Sequence, residues 1–265
     1  MLGVVVLIRR RAENRAAAPA SGWPSGRAWI RLIVVGVLWF GVYNVALNAA
    51  EHRLDAGTSA MLVNVGPILI AILAGLTLGE RFTPTFVIGA VIAFAGVVVI
   101  GGATSTSASG SAASGADLWG VALCLVAAVT YAIGVVTQKP LLATVSGLRV
   151  TWLSCLVGTV VCLPFIGQLI DAFRHASAAS LWLVAYLGAF PTAVAFTTWA
   201  YALARTDAGK LGVTTYLVPP IATLLGWGFL GETPAALAYA GGVLCLAGVA
   251  YARRPTGRVH RVVTT

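Results

Sequence analysis

The sequence predicts an all-α, polytopic transmembrane helix bundle, and three observations carry that prediction. The chain is 59% hydrophobic and only 9% charged over 265 residues, whereas a water-facing domain is about one-quarter charged. Apolar stretches of roughly 20 residues recur along it, each long enough to cross a hydrocarbon core about 30 Å thick. One pattern is also written twice, as DAGTSAMLVNVGPILIAILAGLTLGE from Asp55 to Glu80 and as DAGKLGVTTYLVPPIATLLGWGFLGE from Asp207 to Glu232.

Eight full spans are predicted in order: Trp29–Ala50, Gly57–Leu78, Pro84–Ala103, Leu118–Gln138, Leu148–Ile170, Leu181–Leu203, Leu211–Leu230 and Ala235–Ala252. No alternating strand pattern appears, and backbone groups in lipid must pair within the segment, so these are helices. The first span carries Asn44, Asn48 and Glu51 on one face, which predicts contact with protein or water rather than lipid. The second holds Asn64 one turn before Pro67 and ends in Leu-Gly-Glu, where the glycine stops the helix and Glu80 reaches water or a neighbouring loop. Its small residues Ala71, Gly75 and Gly79, four apart, predict close helix packing. The seventh repeats the proline at Pro219, followed by Pro220, and ends on Glu232. Cys124, Cys155, Cys162 and Cys245 all fall inside spans without metal or redox spacing, and read as small apolar residues.

The formal net charge is +9, but its placement explains it without nucleic acid. Fifteen of the seventeen Lys and Arg residues fall in one alternating set of connections and tails; only Arg53 and Arg174 fall in the other. By the positive-inside rule the first set is cytoplasmic, including the tail RRPTGRVHRVVTT. Before the basic stretch RRRAENR stand eight residues, MLGVVVLI, which as helix reach about 12 Å. A signal peptide places its charges before the apolar segment, so this stub is expected to be the cytoplasmic end of a helix whose beginning is absent.

At a constant offset of 152, Gly36 meets Gly188, Asp55-Ala56-Gly57 meet Asp207-Ala208-Gly209, and Pro67 meets Pro219. Leu78-Gly79-Glu80 meet Leu230-Gly231-Glu232, Gly89 meets Gly241, and Ala95-Gly96-Val97 meet Ala247-Gly248-Val249. An odd number of crossings separates equivalent positions, so the repeats are inverted, as in secondary transporters that alternate access around a midplane site. The expected organisation is a first repeat over residues 1–103, a small-residue linker over 104–116, a second repeat over 117–253 and a basic tail over 254–265.

The doubled stretch resembles the EamA-type transporters of the drug/metabolite transporter superfamily. It carries an Ala-Gly turn, a helix with a central proline, Leu-Gly-Glu, and a helix with G…AGV. The resemblance covers residues 28–253 and implies ten helices, five per repeat, both termini cytoplasmic, and export of a small solute. Against that pattern the chain lacks a counterpart of the first helix, whose last turns the stub resembles, with Leu118–Gln138 as the second-repeat equivalent.

Every Asp and Glu falls at a span end or in a connection, and no Lys, Arg or His lies deep in a span. A buried proton relay is therefore not expected. His52, His175 and His260 are scattered, so neither a metal nor another cofactor is expected. The substrate-binding candidates are neutral: Asn44, Asn48, Asn64, Tyr131, Thr198, Trp199, Thr215 and Tyr216. They imply a neutral or zwitterionic, moderately apolar solute. Pro67 and Pro219 free backbone carbonyls and are the predicted hinges. Asn64 and Tyr216 are equivalents, each three residues before its proline, and are expected to face one shared cavity.

The sequence thus predicts a secondary transporter, an exporter by resemblance, of a metabolite, amino-acid-like or drug-like solute across the inner (cytoplasmic) membrane. A truncated, transport-incompetent remnant is the alternative. A membrane-embedded enzyme fits less well: neither a buried nucleophile with its base nor a P-loop is discernible. The expected partners are the solute and membrane lipid, with no nucleic acid; a homodimer is compatible.

Overall fold

The computed structural model describes residues 23–54, 56–108, 118–230 and 236–254. The stub, most of the linker, Glu232 and the basic tail beyond Arg254 lie outside the described residues. Every regular element described is helical. The eight predicted spans appear as α1 (Arg27–Glu51), α2 (Ala56–Val63 then Gly66–Leu78), α3 (Pro84–Ala108), α4 (Leu118–Leu141), α5 (Gly147–His175), α6 (Ala178–Leu203), α7 (208–230) and α8 (Ala236–Ala252). Six are long and apolar enough to cross a membrane, and α8 is a shorter apolar helix. Under the 152-residue offset, residues 1–8 fall opposite 153–160 within α5. That replaces the expected match of the stub to the helix equivalent to α4.

The tightest packing joins α3 to α8, the last helices of the two repeats, and glycine makes it possible. A Cβ on Gly89 would lie 2.6 Å from the Gly248 carbonyl, and one on Gly96 would lie 2.6 Å from the Gly241 carbonyl. The helices are therefore antiparallel, and the contacts are reciprocal: Gly89 and Gly241 are equivalents, as are Gly96 and Gly248. Ala93 meets its own equivalent, since the Cys245 thiol donates to the Ala93 carbonyl at 3.4 Å. Residues that touch their own counterparts lie on a twofold relation between the copies, by the logic of an isologous interface. The predicted stripe on α2 packs less closely. A Cβ on Gly75 would meet nothing nearer than 3.6 Å, and Gly79, in the left-handed conformation at φ 68°, caps the helix as expected.

Helices α4 and α5 pack most closely on α1. Gly134 of α4 gives way to Trp39, and Gly158 of α5 to Phe40. Gly36 sits against Val157, where an added Cβ would be 2.5 Å from that side chain. At one end of the bundle Glu80, just after α2, is paired with Lys139 near the end of α4. At the other end Leu54, after α1, packs on Gly120 at the start of α4.

Candidate functional site

Five helices depart from regular α-geometry near mid-span: α5 has a 3₁₀ turn at Leu163–Phe165, and the departures in the other four pair across the repeats. In α2 the helix is interrupted by a turn at Asn64 and Val65, with Pro67 in the first turn of the next segment. In α7 a 3₁₀ turn at Thr215–Leu217 precedes Pro219. Proline offers no N–H to the carbonyl four residues earlier, so the ladder opens where the matched prolines stand. A break stands beside each matched proline. In α1 a π-helical segment spans Gly36–Val42, and in α6 another spans Pro191–Ala195. Such segments release carbonyls from the regular ladder and recur at functional sites. Side chains take up the released groups: Asn44 donates to the Trp39 carbonyl at 3.2 Å, and the Thr192 hydroxyl to the Leu187 carbonyl at 3.0 Å.

The two central breaks touch. The Tyr216 hydroxyl donates to the Asn64 carbonyl at 3.0 Å, so these equivalents meet as Ala93 and Cys245 do. Tyr216 is fully buried, with Phe94 at 6.1 Å between ring centroids. The Asn64 side chain takes no part in this contact; its amide donates to the Ala60 carbonyl of its own helix at 2.7 Å.

Beside this junction lies a cluster of rings. Trp39 is its centre, with Phe196 at 5.4 Å, Phe40 and Tyr131 at 5.5 Å and Trp199 at 6.1 Å. Tyr43 extends it through Tyr131 at 5.8 Å. Tyr131 also covers the α2 break: a Cβ on Gly66 would lie 2.8 Å from its ring. The cluster thus joins α1, α4 and α6 and lies directly against the broken part of α2. Its one orphaned group is the Trp199 indole N–H, which is shut off from solvent and has no hydrogen-bond partner. A buried donor left unpaired costs about 1–3 kcal/mol.

The predicted residues therefore fall into groups. Tyr131 and Trp199 join the ring cluster, and Asn64 and Tyr216 form the junction. Thr215 is next to that junction, its hydroxyl donating to the Gly212 carbonyl at 2.7 Å. Asn44, Asn48 and Thr198 are exposed, and each donates to a carbonyl about one turn earlier in its own helix. Trp39, Phe40, Tyr43 and Phe196 were not among the predicted residues. Their signal was in the spacing, since Trp39 with Tyr43 and Phe196 with Trp199 each share a helix face. A cavity lined by Leu142, Val145, Thr197, Tyr201 and Arg205 opens between the α4–α5 connection and the end of α6, and includes none of the predicted residues. Among the described residues no group of His, Cys, Asp and Glu is arranged to hold a metal ion.

Known proteins resemble this chain in sequence and in fold. The EamA-like transporter family matches residues 2–102 and again 118–254. A protein of Streptantibioticus cattleyicolor named "Probable terminal-alkyne amino-acid exporter" is 35% identical over 91% of this chain and 79% of its own length. The uncharacterized transporter YdfC of Bacillus subtilis is 26% identical over 88% of this chain and 74% of its own length. An uncharacterized transporter of Archaeoglobus fulgidus is 29% identical over 83% and 75%. A solved crystal structure superposes with a TM-score of 0.71 at 22% identity, covering 95% of this chain and 83% of the other, which shows a shared fold. With both halves of the chain matched, this protein belongs to the EamA-like transporter family.

Proposed function

We propose that this membrane transporter is a secondary exporter of a small zwitterionic solute, an amino acid with an apolar side chain, and that it works by alternating access. The observation that carries the reading is the junction of the two broken helices at Tyr216 and Asn64, roofed by Tyr131 and the Trp39 cluster. Broken helices meeting at a repeat interface supply free backbone groups where transporter sites form. The rings supply apolar surface, and the unpaired Trp199 N–H supplies a donor for a carboxylate. The amino-acid name of the Streptantibioticus relative points the same way.

Purified protein in liposomes, preloaded with a panel of neutral amino acids, is expected to show saturable counterflow with members carrying apolar side chains. Folded protein that exchanges none of them would remove the amino-acid reading.

The orientation belongs to the same proposal and rests on the distribution of basic residues: cytoplasmic membrane, C-terminus inside. A reporter fused after Ala103 is expected outside and one fused after Arg254 inside. Reporters on one side would refute the inverted arrangement.

A further inference from the structure

Glu80 ends the second helix of the first repeat, yet every partner of its carboxylate lies in the second repeat. Oε1 accepts the Ala208 N–H at 2.6 Å and Oε2 accepts the Gly209 N–H at 3.0 Å, at the first turn of α7. Lys139, near the end of α4, places its Nζ 3.3 Å from Oε1 and also donates to the Thr206 carbonyl. The Glu80 side chain is only 7% exposed. Buried charge without partners is costly, whereas charge-assisted bonds to two amides and an ammonium are strong. One carboxylate thus gathers α2, α4 and α7.

What it holds is a seam between α2 and α7. Beside Glu80, Ile70 is fully buried, and a Cβ on Gly212 would lie 3.4 Å from it. Gly209 is tighter still: its Cβ would be 2.5 Å from the Phe82 ring and 3.2 Å from the Ala71 Cα. The 152-residue offset maps Ile70 onto Ala222 and Gly212 onto Ala60, and both counterparts are exposed. Among the described residues, Gly66–Leu78 packs closely on Ala208–Thr214, while Ala56–Val63 and Val218–Leu230 make no comparable contact. One seam is shut and its counterpart stands open, and the carboxylate lies at the shut one.

We propose that Glu80, with Lys139, is the latch that holds this seam closed, and that the opposite opening of the transporter requires the carboxylate to release both amides. This rests on the alternating-access reading above. The charge is what matters. Glu80→Gln keeps the size, but its NH₂ faces donors and one acceptor is lost. Lys139→Met removes the ammonium and leaves the amide caps.

The test places Ile70→Cys at one seam and Ala222→Cys at the other, one at a time, in nanodiscs where both faces meet buffer. Labelling by a membrane-impermeant maleimide is read at the introduced cysteine by peptide mass spectrometry, with native cysteines left in place. Glu80→Gln is expected to raise labelling at position 70 by about tenfold and to lower it at position 222 by several-fold. Lys139→Met is expected to act in the same direction by about threefold, and it decides the matter should Glu80→Gln not yield folded protein. Unchanged rates at both positions, or a rise at both, overturn the latch, since simple loosening is not reciprocal. Counterflow measured on the same proteins separates the two ideas. Reciprocal labelling without exchange of any panel solute leaves the latch and removes the amino-acid reading. Exchange without reciprocal labelling removes the latch alone.

Discussion

Gly248→Ala is expected to lower the thermal unfolding midpoint by roughly 6–12 °C, the shift that about 3 kcal/mol produces in a chain of this size. The Cβ would arrive 2.3 Å from the Ala93 nitrogen and 2.7 Å from both the Ala93 Cα and the Gly89 carbonyl oxygen. All three are backbone atoms, so no side-chain rotation relieves the clash, and α3 and α8 must separate along their length. Lipid offers apolar surface as readily as protein does, so helix association in a membrane depends on close packing. Gly248 therefore carries more of the bundle's cohesion than a similar glycine would in water. Gly228→Ala and Gly188→Ala are the controls. Nothing lies within 4 Å of either added Cβ, and both are within helices, so each should be neutral or slightly stabilising. Melting curves in one detergent decide the matter. An unchanged midpoint for Gly248→Ala would mean that the α3–α8 contact is looser than these distances.

The sequence made the helices legible because lipid imposes a length and forbids unpaired backbone; each predicted span is helical in the structure. Matched glycines were visible as repeats, but their contacts were not. Gly89 packs on Gly248 rather than on its own equivalent, because a twofold relation crosses partners within a helix pair. Breaks at Asn64 and Thr215 followed from proline chemistry. Of the two π-segments, Pro191–Ala195 begins on a proline, whereas Gly36–Val42 contains none and had no comparable mark. Of the polar candidates, Asn44, Asn48 and Thr198 each turn back to a carbonyl of their own helix, a local choice that residue type alone does not reveal. Glu80 was read as reaching water or a neighbouring loop. Its partners are instead the first turn of α7, at Ala208 and Gly209, and Lys139 near the end of α4, set by folding across 59 residues or more, which no local pattern encodes.

Trp199→Phe is expected to weaken solute binding by about tenfold or more while moving the unfolding midpoint little. The two effects separate because the indole N–H is buried and has no hydrogen-bond partner within the protein. Removing it relieves a penalty of about 1–3 kcal/mol, which offsets the packing lost with the smaller ring. In the bound state the same N–H is proposed to donate to the solute carboxylate, and a hydrogen bond to a charged group contributes about 1.5–3 kcal/mol. Trp199 also packs its ring against Trp39 at 6.1 Å, a contact that phenylalanine preserves in kind, so the cluster should keep its shape. Counterflow over a range of concentrations, using a panel amino acid that the parent protein exchanges, separates an affinity change from a loss of active protein. Half-saturation should rise and the maximal rate should stay near that of the parent. A lowered maximal rate with unchanged half-saturation would place Trp199 in the conformational step, and an unchanged profile would show that its N–H meets no solute.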